Sequence, residues 1–283
     1  MTTDHYDIIG DIHGHADTLH SLLGKLGYKQ INGVWQHPER TVIFLGDFID
    51  SGINQTEVID IVRPMIEQNH ALAVMGNHEY NAIAYYTKTS DGGYLRPHTQ
   101  SNKIQHGRFL DAYEQDPINY HNTIEWFKTL PLWLDLADIR VVHACWDEES
   151  MAIIDHGENN KPLLSDKLLH TSSIKNTAEY QAIETILKGK EIQLPEGRSF
   201  KDNYGKVRTT IRTEWWKSYP ANAAPVFFGH YWMCNAITPQ ANNAACVDYS
   251  VAREGGRLVA YQWDGERNLN TSKFIFVDRA EVN

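Results

Sequence analysis

The N-terminal part of the chain alternates short apolar runs with amphipathic segments. The apolar runs at residues 6–9, 41–45 and 71–75 have the length and the branched side chains of buried strands. Residues 17–26 and 55–68 instead carry leucine, isoleucine and valine at helical spacing. This order predicts a βαβαβ unit with parallel strands and right-handed crossovers.

The C-terminal half of the chain returns to strand-like patterns. Gly255-Gly256 is typical of a hairpin turn. Further strands are predicted at residues 139–142, 225–228, 244–248, 257–263 and 273–277.

Two polar stretches interrupt these patterns and have no strong hydrophobic period of their own. We expect residues 88–122 to form a long loop over the site, followed by a short helix at 123–130. We expect residues 147–205 to form a second insertion, partly helical around 177–188. The sequence therefore predicts one α/β domain over residues 1–283, with two insertions that cover the site.

The composition narrows the choice of partners. The chain has 283 residues, and 26 Lys and Arg against 36 Asp and Glu give a net charge of −10, which disfavours nucleic-acid or membrane binding. The 3 cysteines form no CxxC pair, which argues against a thiolate-zinc scaffold. No apolar stretch approaches the ~18 residues of a membrane span, and no signal peptide is evident. We expect a cytoplasmic protein and leave its oligomeric state open.

Polar residues follow five of the apolar runs directly. Such positions are where α/β sheets build their sites, because the ends of neighbouring strands meet at one edge. The five strings are Gly10-Asp11-Ile12-His13-Gly14, Gly46-Asp47-Phe48-Ile49-Asp50-Ser51-Gly52, Gly76-Asn77-His78-Glu79, Val142-His143-Ala144 and Gly229-His230.

The residue types in these strings predict a centre for two metal ions. Carboxylate, imidazole and amide oxygen without thiolate suit Mn²⁺, Fe or Zn²⁺. Two divalent ions, two aspartates and a bridging hydroxide leave a charge of about +1, which attracts a phosphate. We expect one ion on Asp11 and His13, a bridging carboxylate from Asp47, and the second ion on Asn77, His143 and His230.

A proton donor is predicted beside this centre. His78 directly follows Asn77, so it lies next to the metals but faces another way. A carboxylate that hydrogen-bonds an imidazole raises its pKa and fixes its tautomer. We therefore predict that His78 is the general acid and that Asp50 orients it.

The five strings together resemble those of the calcineurin-like metallophosphoesterases, over residues 6 to about 263. Within that superfamily the chain most resembles the phosphoprotein phosphatases and the symmetrical diadenosine tetraphosphatases, in part because of Trp126 to Trp133 and Cys246-Val247-Asp248. The resemblance implies a two-sheet β-sandwich flanked by helices, with a dinuclear metal site.

Two departures from the family pattern bear on the substrate. Many phosphodiesterases have a second His where this chain has Trp232, and the phosphatases have a phosphate-binding Arg where it has Ser51. Serine does not replace a bidentate guanidinium. Arg208 and Arg212, on one face if this segment is a helix, are the candidates to compensate, and we favour Arg212. Asn77 is expected to contact the phosphate as well.

Five more residues have expected roles around the site. Glu79 is expected to brace a loop or cap a helix, and Asp248 to support a ligand histidine or shape a turn. Three side chains in the first insertion, His106, His121 and Tyr94, are candidates to line the substrate cleft.

The sequence therefore predicts a hydrolase of phosphoric esters in which a metal-bridging hydroxide attacks phosphorus directly. The leading hypothesis is a phosphoprotein-phosphatase-like phosphomonoesterase, and the alternative is a dinucleoside polyphosphate hydrolase, for example of diadenosine tetraphosphate. A phosphodiesterase and a non-catalytic metal-binding scaffold are weaker alternatives, the latter because no ligand residue is missing.

Overall fold

A computed structural model describes residues 5–154, 161–201 and 207–280. Its helices are α1 (Ala16–Lys25), α2 (Gln55–Glu67), α3 (Asn77–Tyr86), α4 (Gln100–Ala112), α5 (Pro117–Phe127), α6 (Glu148–Ile153), α7 (Asp166–Ser172) and α8 (Ala178–Lys188). The first eight strands are β1 (Tyr6–Ile9), β2 (Lys29–Ile31), β3 (Val34–Gln36), β4 (Thr41–Phe44), β5 (Ala71–Ala73), β6 (Trp133–Asp135), β7 (Arg140–Val142) and β8 (Glu191–Gln193). The others are β9 (Phe200–Lys201), β10 (Val207–Arg208), β11 (Thr210–Arg212), β12 (Val226–Phe228), β13 (Ala244–Cys246), β14 (Asp248–Tyr249), β15 (Arg257–Trp263) and β16 (Phe274–Asp278).

The strands of the N-terminal unit lie side by side in one sheet. Its order is β14-β15-β1-β4-β5, and β16 pairs with β15. Strands β1, β4 and β5 are parallel neighbours, as the βαβαβ pattern predicts, and β15 runs antiparallel to β1. The carboxyl ends of three strands therefore meet at one edge.

A second sheet has the order β13-β12-β7-β6, with β12 parallel to both β7 and β13. Successive residues on the strands of both sheets point to opposite faces. One set of buried side chains fills the space between the sheets, and it includes Ile8, Ile43, Val141 and Phe227. Their neighbours belong to the core beneath the helices, namely Ile9, Phe44, Val142 and Phe228. The predicted two-sheet sandwich with flanking helices is confirmed.

The prediction of one strand over 244–248 is wrong. The segment divides into β13 in the second sheet and β14 in the first. Val247 lies between the two strands, and its side chain belongs to the core between the sheets. The chain thus crosses from one sheet to the other within a single apolar run, which hydrophobicity alone does not reveal.

The prediction of a long loop over 88–122 is also wrong. This stretch contains α4 and the start of α5, which begins earlier than the predicted helix at 123–130. Thr99 and Asp116 cap the two helices through their side-chain oxygens. Only His106 and Phe109 of α4 are buried. The helix therefore has no strong apolar period by which the sequence could reveal it.

The second insertion is more structured than expected. It contains α6, α7, α8 and the strands β8 and β9, while residues 155–160 and 202–205 of the predicted segment lie outside the described residues. The helix predicted around 177–188 agrees with α8. None of the helices in the described ranges is long and apolar enough to cross a membrane.

Candidate metal centre

The five polar strings lie at the carboxyl ends of β1, β4, β5, β7 and β12, and the third of them continues into the first turn of α3. Several of their residues adopt the left-handed backbone conformation, including His13, Asp47 and His230 with φ between 49° and 67°. Residues other than glycine rarely adopt this backbone conformation, and those that do cluster at functional sites. Glycines permit the close packing, since a Cβ on Gly229 would lie 2.2 Å from Oδ1 of Asp11.

Asp47 is the side chain around which the others gather. Its Oδ2 lies 3.5 Å from Nε2 of His143, 3.7 Å from Nε2 of His13 and 3.9 Å from Nε2 of His78. Two groups of three side chains with ligand atoms within 4.8 Å of one another share this residue. One group contains Asp47, His13 and His78, and the other contains Asp47, His143 and His230. A shared carboxylate between two imidazole groups is the arrangement that a bridging ligand requires.

Hydrogen bonds to the backbone fix the orientation of two imidazoles. Nδ1 of His143 donates to the carbonyl of Leu45 at 2.7 Å, and Nδ1 of His13 donates to that of Ile49 at 3.1 Å. Each ring therefore turns its Nε2 towards Asp47 with a lone pair available. This use of the second nitrogen is typical of metal-binding histidines.

Several buried polar atoms of the cluster have no partner among the described residues. They are Oδ1 of Asp11, Nε2 of His13 and both ring nitrogens of His230. Leaving such atoms buried without a partner costs free energy, so native proteins rarely do it. Oδ1 of Asn77 also lies 3.2 Å from Nε2 of His143, and both are acceptors when the imidazole is neutral. Bound cations would satisfy the oxygens of Asp11 and Asn77, Nε2 of His13 and one ring nitrogen of His230.

The electrostatics of the cluster lead to the same conclusion. Burial and the neighbouring carboxylates Asp248 and Asp47 hold the pKa of Asp11 well above its usual value. Burial and the guanidinium of Arg212 hold the pKa of His230 well below that of a free imidazole. Carboxylates crowded together away from water, beside the neutral imidazole of His230, form a site that favours positive ions. Asp11 belongs to neither of the two groups around Asp47, although the nearby backbone N–H of His230 donates to its Oδ2 at 3.2 Å.

His78 and Asp50 are in contact. Nδ1 of His78 lies 2.5 Å from Oδ2 of Asp50, so Nε2 of the ring faces the Asp47 cluster. Burial alone would lower the pKa of His78, but Asp47 and Asp50 outweigh it and raise the pKa to about 9. The structure therefore brings together a buried, readily protonated imidazole and the predicted metal ligands. Its Nε2 also lies near His13, since the two rings meet edge to face at 4.8 Å.

Two buried carboxylates brace the loops of the site. Glu79 accepts hydrogen bonds from the backbone N–H groups of Asp47, Gly76 and Phe48, at 2.7, 3.0 and 2.8 Å. Asp248 accepts from the backbone N–H groups of Trp232 and Ser250 at 2.8 and 2.9 Å. Glu79 therefore holds the loop after β4 against the start of α3, and Asp248 holds the loop after β12.

The candidate phosphate-binding arginines lie on strands. Arg208 is in β10 and Arg212 in β11, so this segment is not a helix and the two arginines do not share a helix face. Nη1 of Arg212 donates to the carbonyl of His230 at 3.2 Å, which puts its guanidinium at the edge of the cluster. Asn77 is the first residue of α3 and contacts His143.

His106 is a residue of the site that the sequence motifs do not reveal. It lies on α4, and its Nδ1 lies 3.0 Å from Oδ1 of Asp50. Asp50 thus contacts two imidazoles at once, because its other oxygen contacts His78. No residue spacing in the first insertion distinguishes His106. The sequence suggests it only as one of three candidates to line the substrate cleft. His121 is instead exposed and hydrogen-bonded to the hydroxyl of Tyr86.

A buried carboxylate and imidazole cluster at the strand ends of a two-sheet sandwich defines a class of metal-dependent hydrolases. The sequence model of the calcineurin-like phosphoesterases matches residues 5–231. The chain belongs to this family of phosphoesterases, which confirms the resemblance noted in the sequence.

Curated relatives are similar over part of the chain. A bis(5′-nucleosyl)-tetraphosphatase PrpE, asymmetrical, from Oceanobacillus iheyensis is 33% identical over 49% of this chain and 54% of its own length. The protein of the same name from Halalkalibacterium halodurans is 45% identical over 41% of this chain and 52% of its own length. The chain thus spans about half the length of the curated relatives that it matches.

The solved structures support the fold. A protein serine/threonine phosphatase from Saccharomyces cerevisiae superposes with a TM-score of 0.57 at 15% identity, covering 100% of this chain and 82% of the phosphatase. At this identity the likeness concerns the fold and not the substrate.

Proposed function

We propose that this chain is a metal-dependent hydrolase of dinucleoside polyphosphates that cleaves the phosphoanhydride chain unevenly. The observation that carries the choice of substrate is the similarity to relatives named asymmetrical bis(5′-nucleosyl)-tetraphosphatases. This similarity favours a dinucleoside polyphosphate substrate over the phosphoprotein substrate of the leading hypothesis from the sequence. It also favours uneven cleavage, whereas the sequence resembled the symmetrical enzymes.

The geometry around Asp47 supports the role of the metal ligands. We infer that Asp11 and His13 would hold one divalent ion and that Asp47 would be a ligand shared with a second. Asn77, His143 and His230 would hold that second ion. The two divalent cations would be Mn²⁺, Fe or Zn²⁺. When bound, they supply a Lewis acid for the phosphoryl oxygens and a nucleophile at neutral pH.

The remaining side chains of the site suit the other steps of the reaction. Nε2 of His78 would donate a proton to the oxygen that leaves phosphorus, while Asp50 holds the imidazole in place. The P–O bond to that oxygen would break as the oxygen of water adds to phosphorus, and the leaving oxygen would take the proton of His78. If the broken bond joins a terminal phosphate to the rest of the chain, the four phosphates of a tetraphosphate separate into one and three. Arg212 would bind a phosphate of the substrate, with Arg208 nearby and with Asn77 facing the reacting group.

A substrate panel on metal-analysed protein tests this proposal. With Mn²⁺ added, kcat/KM is compared for diadenosine tetraphosphate, a phosphopeptide, p-nitrophenyl phosphate and bis-p-nitrophenyl phosphate. We expect the highest kcat/KM for diadenosine tetraphosphate. A preference for the phosphopeptide would favour the phosphomonoesterase hypothesis instead. A preference for bis-p-nitrophenyl phosphate would indicate a phosphodiesterase. No turnover of any substrate with two bound metals would support a scaffold.

A further inference from the structure

A cavity of about 760 Å³ lies outside the metal cluster, among the end of α3, the segment that follows it and the helices α4 and α5. Pockets for small ligands typically have volumes of about 300–1,000 Å³. We call this cavity the aromatic pocket, since rings and lysines dominate its lining. Its principal lining residues are Tyr85, Tyr94, His98, Tyr120, Lys88 and Lys103.

Three rings of the aromatic pocket form a stacked column. The ring of His98 stacks on Tyr85 with centroids 3.7 Å apart and on Tyr94 with centroids 3.8 Å apart. Nε2 of His98 donates to the carbonyl of Tyr85 at 2.9 Å, which fixes the middle ring. Tyr94 ends the column, is half-buried and makes no further ring contact among the described residues. Its outer face can therefore extend the column by one planar ligand.

The segment that carries Tyr94 is held against α3. The backbone N–H of Leu95 donates to Thr87 at 3.0 Å, and that of Arg96 donates to Ala84 at 2.9 Å. Arg96 then anchors the segment to α4, because its Nη2 donates to Oε1 of Gln105 at 2.6 Å. The column is thus formed without a ligand, and binding would cost little ordering of the protein.

Positive charge adjoins the column. Lys88 is paired with Tyr94 in a β-bridge, which makes the two side chains neighbours. Lys103 projects from α4, and both lysines are exposed. Neither makes an ion pair within the described residues. An aromatic surface beside unpaired ammonium groups is suited to a ligand that has both a planar ring and an anion.

The aromatic pocket is close to the site of the proposed reaction. His78 and Tyr85 are seven positions apart on α3, so they lie on one face of the helix, about 10 Å apart along its axis. His106 connects them, since its ring lies 5.3 Å from that of Tyr85 and its Nδ1 contacts Asp50. The column therefore begins about 10 Å from His78, and Tyr94 lies two stacking steps of 3.7 and 3.8 Å further along it.

We propose that the aromatic pocket binds the nucleobase end of a nucleoside polyphosphate, with the base stacked on Tyr94 and with Lys88 and Lys103 facing its phosphates. This inference rests on the proposed function, whose substrate class it locates on the protein. It assigns a binding role to the first insertion that the metal cluster alone does not explain.

Equilibrium binding to the full chain in EDTA tests the proposal, because ATP is not hydrolysed there. The probes are ATP and inorganic tripolyphosphate, measured by calorimetry with the wild type, Tyr94→Ala and Tyr94→Phe. We expect ATP to bind more tightly than tripolyphosphate, and Tyr94→Ala to weaken ATP binding about 5- to 100-fold. Tyr94→Phe keeps the ring and should bind ATP as the wild type does. Equal affinity for the two probes, or ATP binding unchanged in Tyr94→Ala, would overturn the proposal.

The lysines give a second arm with a matched control. Lys103→Gln should weaken the binding of both ATP and tripolyphosphate. Lys29 is an exposed lysine on β2, and Lys29→Gln should change the binding of neither. Unchanged binding in Lys103→Gln would remove this residue from the site. Unaltered thermal unfolding of Tyr94→Ala shows that the variant is folded. Since this assay involves no turnover, an inactive wild type that still binds ATP through Tyr94 would contradict the proposed function and leave this inference standing.

Discussion

Oδ2 of Asp50 lies 2.5 Å from Nδ1 of His78, while the opposite oxygen of the same carboxylate contacts His106. Burial alone would raise the pKa of Asp50, but the hydrogen bonds from His106 and His78 lower it to about 2. The carboxylate therefore stays ionised and keeps the imidazole of His78 protonated. This pair connects the fold to the proposed chemistry, because its two members come from the ends of different strands.

Loss of the imidazole should slow the chemical step. His78→Gln is expected to lower kcat on diadenosine tetraphosphate by about 10²–10⁴-fold, the usual contribution of a general acid. Asp50→Asn should lower kcat less, since the imidazole remains. Steady-state kinetics at matched metal content measure both effects. An unchanged kcat in His78→Gln would rule out this assignment.

The rate should depend on pH through His78. A general acid acts in its protonated form, so kcat falls as the pH rises through its pKa. Because Asp47 and Asp50 raise that pKa, the alkaline limb of the kcat profile should lie above the value of about 6.5 for a free imidazole. Asp50→Asn should move the limb to lower pH. A limb that stays in place in Asp50→Asn would show that another group controls it.

Asp47 should be needed for both metal ions, because it belongs to both ligand groups. Asp47→Asn is expected to bind neither ion tightly, whereas His143→Gln should keep about one ion per chain. Asp60→Asn on α2, an exposed position, is the matched control and should keep the wild-type content. Metal analysis after gel filtration measures the stoichiometry. Full content in Asp47→Asn would contradict a shared bridging carboxylate.

Arg212 should affect substrate binding without affecting the metals. Its guanidinium adjoins His230, so Arg212→Ala is expected to lower kcat/KM by about 10- to 100-fold, the typical cost of a charged hydrogen bond. The control is Arg257, an exposed residue of β15 that pairs with Asp278. Arg257→Ala should leave kcat/KM unchanged. Steady-state kinetics together with metal analysis separate the two effects. Lost metal in Arg212→Ala would mean that the arginine supports the fold of the site instead.

Strand-end residues were the most predictable part of the structure. Asp11 and Asp47 follow apolar runs long enough to be recognised as strands, and the βαβαβ order predicts that the ends of these two strands lie at one edge. Local sequence does not show that Val247 carries the chain between two sheets, because both sheets demand the same apolar side chains.

The first insertion was less predictable because its helix α4 buries few side chains. Helix α4 buries only His106 and Phe109, so its apolar period is weak, although its capping residue Thr99 is present in the sequence. The contact between His106 and Asp50 joins residues 56 positions apart and depends on how α4 packs. No single-sequence pattern encodes such a contact.

The central claim is uneven hydrolysis of a dinucleoside polyphosphate, and the products of diadenosine tetraphosphate test it most directly. The Mn²⁺-loaded protein is incubated with this substrate, and the nucleotides are separated by anion-exchange chromatography at early times. The account predicts ATP and AMP in equal amounts. ADP as the sole product, or no cleavage by protein that holds two metals, would contradict it.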